Sequence, residues 1–137
     1  MANLEGGCLC GAVRYTAGEP MVCGHCHCVD CRKTSSTGHA THVMVAGDGF
    51  SVEGPLSSYA RPADSGNTVT RYFCPTCSSA IYSTNSAMPG MRFVRASSLD
   101  DPDAVEPGMV VYASRAPAWD RIEGMPSYPE MAPLPAM

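Results

Sequence analysis

The chain has 137 residues, enough for one domain with a modest core. Its formal charge is −4, and its eight arginines and single lysine, Lys33, are scattered, so no Lys/Arg block offers the footprint of a nucleic-acid binder. The opening Met1-Ala2-Asn3-Leu4-Glu5 lacks the basic and apolar segments of a secretory signal, and no stretch approaches the ~20 apolar residues of a membrane span. The expectation is therefore a cytoplasmic protein with neither nucleic acid nor membrane as partner.

Eight cysteines in a reducing compartment do not persist as disulfides, which shifts the reading toward metal binding or thiol redox chemistry. Thirteen glycines and twelve prolines separate short apolar runs, and this predicts a mainly β chain of short strands and turns. The first feature in chain order is the Cys8-Leu9-Cys10 pair, preceded by Gly6-Gly7 and followed by Gly11, where the backbone can bend around an ion. A strand is expected over 12–16. Next comes the cluster Cys23, Cys26, Cys28 and Cys31, then strands over 39–45, 50–53 and 68–73. The Cys74-Pro75-Thr76-Cys77 knuckle follows, with strands over 80–83, 91–96 and 109–113. Residues 100–106 can form one helical turn with an Asp as N-cap and Pro102 early in it. Residues 1–124 read as one domain. The end, 125–137, has four prolines and reads as an extended or loosely ordered tail.

C-x-C and C-x-x-C spacings let one turn aim two thiolates at a point roughly 2.3 Å from each sulfur, as tetrahedral zinc requires. Each pair alone is half a site. Cys8, Cys10, Cys74 and Cys77 are most economically joined into one closed, structural four-thiolate zinc site; the competing reading is two unrelated thiol pairs. In Cys26-His27-Cys28-Val29-Asp30-Cys31, three thiolates can ligate one metal and leave a fourth position free, the usual form of catalytic zinc. Cys23 is a candidate fourth ligand that closes this second site. His25 and His27 are alternative ligands or donors to sulfur. The spacing between Cys26 and Cys28 departs from ferredoxin runs, which argues against an iron–sulfur cluster.

Three motifs in order, Gly7-Cys8-Leu9-Cys10-Gly11-Ala12-Val13-Arg14-Tyr15, Cys26-His27-Cys28-Val29-Asp30-Cys31-Arg32-Lys33 and Arg71-Tyr72-Phe73-Cys74-Pro75-Thr76-Cys77, with a weaker match at Trp119 and Pro126, span most of the chain. Here the chain resembles the family of glutathione-dependent formaldehyde-activating enzymes and the related centromere protein V domain. The resemblance implies a β-tent of antiparallel sheets stapled by zinc. It also implies a structural zinc on Cys8, Cys10, Cys74 and Cys77, and a second, more labile zinc on Cys26, Cys28 and Cys31 near a glutathione site. Family members usually carry glycine directly after the knuckle, whereas this chain has Ser78-Ser79.

Two zinc ions per chain are therefore expected. A zinc with three thiolate ligands is a feeble Lewis acid and suits carrying a thiolate better than activating water. The expected function is a carbon–sulfur lyase reaction: addition of glutathione or a similar thiol to a small aldehyde such as formaldehyde, or its reverse. Cys26, Cys28 and Cys31 are then the catalytic cluster, and Arg32 and Lys33 the residues holding glutathione carboxylates. His27, His39 or His42 could move a proton, although the latter two also read as ordinary strand residues. The rival readings are a non-catalytic zinc scaffold and thiol redox exchange through Cys23 and Cys26. Trp119, Tyr112 and Phe93 read as packing. Nothing in the sequence sets the oligomeric state.

Overall fold

The computed structural model describes residues 3–63 and 65–133. Strands β1 (Leu4–Gly7), β2 (Arg14–Ala17) and β5 (Ser51–Glu53) form an antiparallel three-stranded sheet in the order β1-β2-β5. A seven-stranded sheet is built from β3 (Val22–Cys26), β4 (Ala40–Ala46), β6 (Ser57–Pro62), β7 (Thr68–Phe73), β8 (Ala80–Asn85), β9 (Met91–Arg95) and β10 (Val110–Val111), in the order β10-β3-β4-β9-β8-β7-β6. Every pairing in it is antiparallel except β10 with β3. One short α-helix, α1 (Val29–Lys33), is present among the described residues, with four single 3-10 turns. The mainly β class is as expected, and no described helix is long and apolar enough to cross a membrane.

Most expected strands lie within a residue or two of their places, and the residues 68–73 coincide with β7. Three strands and the α-helix were not anticipated, each for a physical reason. β1 reads Leu-Glu-Gly-Gly, with too few side chains for an alternating signal. β3 carries Cys-Gly-His-Cys, whose ligand spacing masks its strand character. β6 is an almost entirely exposed edge strand ending in Pro62, a position sheets tolerate only at an edge. α1 has only five residues, started by Cys28, whose sulfur accepts the Cys31 N–H.

The expected turn at 100–106 is a single 3-10 turn, Pro102–Ala104, capped by the Asp101 carboxylate accepting from the Asp103 N–H. The start of the expected tail is extended and paired: Val110 N–H donates to the Pro126 carbonyl, Tyr128 N–H to the Val110 carbonyl, and Tyr112 N–H to the Glu130 carbonyl. Residues 134–137 of that tail lie outside the described residues.

The two faces of the large sheet have different jobs. Val43 and Val45 of β4 and Val94 of β9 point into the core, where Leu4, Val13, Tyr15 and Ala17 of the small sheet and its hairpin meet them. Each of the Val and Leu side chains among these is worth roughly 1.5–3 kcal/mol when removed from water. On the opposite face, register places Val22, Met44, Phe93, Ser83 and Arg71 side by side across five neighbouring strands. All five line one cavity of about 310 Å³. Strand alternation thus makes one sheet both core wall and cavity floor.

Candidate metal centres and cavity

The four cysteines of the N-terminal pair and the knuckle, separated by more than sixty residues in sequence, place their sulfurs within 4.8 Å of one another. Cys8 Sγ lies 3.5 Å from Cys10 Sγ, which lies 3.8 Å from Cys74 Sγ. A disulfide needs about 2.05 Å; four sulfurs around tetrahedral zinc sit about 3.8 Å apart. The surroundings also suit thiolates, because Val13 N–H donates to Cys8 Sγ (3.2 Å) and Thr76 N–H to Cys74 Sγ (3.4 Å). A hydrogen bond from the Ser79 hydroxyl, then the Cys10 backbone N–H, holds the Cys77 thiol down to about 5. The donor set and its spacing fit a tetrahedral thiophilic ion.

Cys26, Cys28 and Cys31 form a second group, also within 4.8 Å. Cys26 ends β3, Cys28 caps α1, and Cys31 sits one turn further, so a strand end and a helix start aim three sulfurs at one point. Hydrogen bonds with Cys26 and then Cys31 pull the Cys28 thiol down, while hydrogen bonds with Cys28 and then Cys31 push the Cys26 thiol up. His42 Nε2 is 3.3 Å from Cys31 Sγ. Its Nδ1 is buried without a partner among the described residues, so the economical tautomer carries the proton on Nε2 and donates it to sulfur. Burial, with Arg95 and Arg71 nearby, pushes His42 down to about 3, which keeps the ring neutral.

The two groups differ in what they face. All three cysteines of the second group line the 310 Å³ cavity, and none of the first group does. Val29, Asp30 and Cys31 of α1 line that cavity, and the helix is tied to β6 by an ion pair between Asp30 and Arg61 (3.6 Å).

The profile of the family described as "Glutathione-dependent formaldehyde-activating enzyme" matches residues 3–115. A protein of Halomonas elongata named "Putative glutathione-dependent formaldehyde-activating enzyme" is 30% identical over 127 residues, covering 88% of this chain and 81% of its own. The chain belongs to the glutathione-dependent formaldehyde-activating enzyme family. A crystal structure of a Rhodobacter sphaeroides protein shares the fold, with a TM-score of 0.60 at 22% identity over 76% of this chain and 97% of that one.

Within this family frame, several residues singled out from sequence stand elsewhere than expected. Cys23 does not join the second cysteine group: it is three residues before Cys26 on β3, so alternation turns it to the core face, where burial raises its thiol to about 11. Arg32 and Lys33 are in the last turn of α1, and neither lines the cavity. The arginines that do are Arg71 and Arg115. Sequence spacing favoured Arg32 and Lys33 because they adjoin the cysteines; Arg71 reaches the same space through sheet register.

The histidines beside the cysteines stay off the sulfurs. His25 Nδ1 pairs with Thr41 Oγ1 (2.7 Å), and His27 Nδ1 donates to the Gly38 carbonyl (2.8 Å). His27, His39 and Asp120 form a third group, with His39 Nδ1 2.7 Å from Asp120 Oδ2. Gly38 packs so closely here that a Cβ would fall on the Asp120 side chain. This group pins the turn after α1 to the 117–120 loop and so braces the segment carrying Cys28 and Cys31.

The Ser78-Ser79 departure has a structural meaning. Ser78 adopts φ +66°, the left-handed region that glycine enters freely, which accounts for glycine being usual there. Ser79 compensates: its hydroxyl sits 3.2 Å from Cys77 Sγ and accepts the Leu9 N–H, linking both halves of the four-cysteine group.

Proposed function

We propose that the protein is a zinc-dependent carbon–sulfur lyase-type enzyme that joins glutathione, or a similar thiol, to a small aldehyde such as formaldehyde, and catalyses the reverse cleavage. The observation that carries this reading is that Cys26, Cys28 and Cys31 converge on the wall of a cavity large enough for both reactants, while the other cysteine group is turned away from it. Cys8, Cys10, Cys74 and Cys77 would hold a structural zinc and Cys26, Cys28 and Cys31 a second. When bound at the three-cysteine group, zinc supplies a positive centre that keeps a thiol ionised near neutral pH.

The protein's own groups are suited to the rest. In the forward direction the thiol sulfur forms a bond to the carbonyl carbon. The carbon–oxygen π pair moves to oxygen, which takes up the proton the thiol gave up. His42, donating to Cys31, keeps that sulfur's orientation and stays neutral, so it adds no charge to the site. Asn67, Asn85 and Ser83 offer neutral hydrogen-bonding groups on the cavity wall for the developing hydroxyl. The apolar side chains around them exclude water, which strengthens each of these contacts. The free thiols of both groups suit a reducing compartment, and we place the reaction in the cytoplasm.

Cys26→Ser tests the proposal. Thiol-dependent turnover of formaldehyde should fall at least about 100-fold, with circular dichroism and the thermal transition retained. In cobalt-substituted protein, glutathione should perturb the visible bands. Unchanged turnover in the variant, or a cobalt spectrum indifferent to glutathione, would leave a non-catalytic zinc scaffold as the better reading.

A further inference from the structure

Arg71 is placed unlike any other cation among the described residues. It stands on β7 opposite Ser83 of β8 and lines both the main cavity and a smaller one of about 210 Å³ behind it. Its Nε and Nη1 are buried without a hydrogen-bond partner among the described residues. A guanidinium cannot shed its charge, so unmet donors on it are among the most costly groups a fold can bury. Its neighbour Arg95, by contrast, donates to the Thr34 hydroxyl (2.8 Å) and carbonyl. Arg71 also lies close enough to Cys28 and Cys31 to favour their thiolates.

Charge compensation of the cysteines explains only part of this. Asp30, the acid on the cavity wall, is paired with Arg61 (3.6 Å), so it does not meet the Arg71 donors. An anion entering the cavity would meet them. The rest of the cavity is largely apolar: Met44, Met88, Met109 and Met131 line it with Phe93 and Val69. Methionines form a wall that adapts to the shape of an apolar body.

We propose that Arg71 is a carboxylate-anchoring residue, and that the cavity takes a ligand with one carboxylate beside the three-cysteine group and an apolar body along the methionine wall. This rests on the reading of the cavity as the substrate site and narrows it. The thiol partner is then one that presents a carboxylate to Arg71 and lays an apolar portion along the methionine wall. A carboxylate takes two guanidinium donors at once along one edge, such as Nη1 with Nη2, and such a fork is specific to arginine.

The test uses zinc-loaded full-length protein and ligands that need no turnover, with hexanoate, hexanamide and hexylamine titrated by calorimetry. Hexanoate should bind about 10- to 100-fold more tightly than hexanamide, and hexylamine should be rejected. Arg71→Gln should bring hexanoate to the level of hexanamide, whereas Arg71→Lys should keep part of the preference, with melting curves run on both. Equal binding of hexanoate and hexanamide by the wild type overturns the proposal, and so does a preference that survives Arg71→Gln, which would place the anion on the metal. The wild-type series decides even where Arg71→Gln does not fold. Loss of formaldehyde turnover with the hexanoate preference intact would count against the enzymatic reading alone.

Discussion

The two cysteine groups use the same chemistry to opposite ends. Cys8, Cys10, Cys74 and Cys77 join a hairpin of the small sheet to a knuckle between two strands of the large one, and they face away from the cavity. Cys26, Cys28 and Cys31 come from one short segment, and all three face it. A site closed by distant segments stores its binding energy in the fold; a site built from neighbouring residues leaves the fold nearly indifferent to the metal and its remaining position accessible. Four ligands against three, and remote against local, is the contrast on which the proposal of a staple and a reaction centre rests.

The sharpest way to break this contrast is to remove one sulfur from the staple. Cys74 is fully buried, so Cys74→Ser should cost at least about 5 kcal/mol and abolish cooperative unfolding by circular dichroism, where Cys26→Ser leaves it intact. If both variants unfold alike, the two groups are not functionally distinct. A smaller effect is expected outside the ligand sets. His42→Phe removes the donor to Cys31 while filling its space, and should weaken metal affinity of the second group about 10- to 100-fold by competition with a chromophoric chelator, leaving the first group's metal in place.

Two further changes sharpen the structural side. Tyr15 is buried at the sheet interface, its hydroxyl 2.6 Å from Ser98 Oγ, and burial raises its phenol to about 12. Because the folded value lies above the unfolded one of about 10, the stability of the neutral phenol is complete below pH ~10 and is lost as pH rises toward 12. Tyr15→Phe should cost about 1 kcal/mol at pH 7 and flatten part of the alkaline decline, measured by denaturant unfolding across pH. The smallest effect should come from Ser78→Gly, which relieves the left-handed backbone beside the staple. It should stabilise by about 1 kcal/mol, near 3 °C in Tm, without altering turnover.

Much of this was legible in the residues because its causes are local. Ligand pairs one or two residues apart are constrained by the covalent reach of a single turn, and β-branched and aromatic runs between glycines and prolines mark strands such as β7. The three motifs pointed to the family that the comparisons show. β3 was hidden because its cysteines and glycine advertise a metal turn, although Gly24 and Cys26 also alternate onto one face of a sheet.

Other features depended on long-range pairing. That Cys23 turns toward the core follows from β3 being a strand in register with β4, and no spacing of cysteines encodes that. That Arg71, forty residues beyond the second cysteine group, stands over it while adjacent Arg32 and Lys33 do not follows from the order of strands across the sheet. Short-range geometry is written into neighbouring residues by bond lengths and turn shape. Which side chains share a cavity depends on register and face, and those are chosen only when the whole sheet pairs and buries its apolar side.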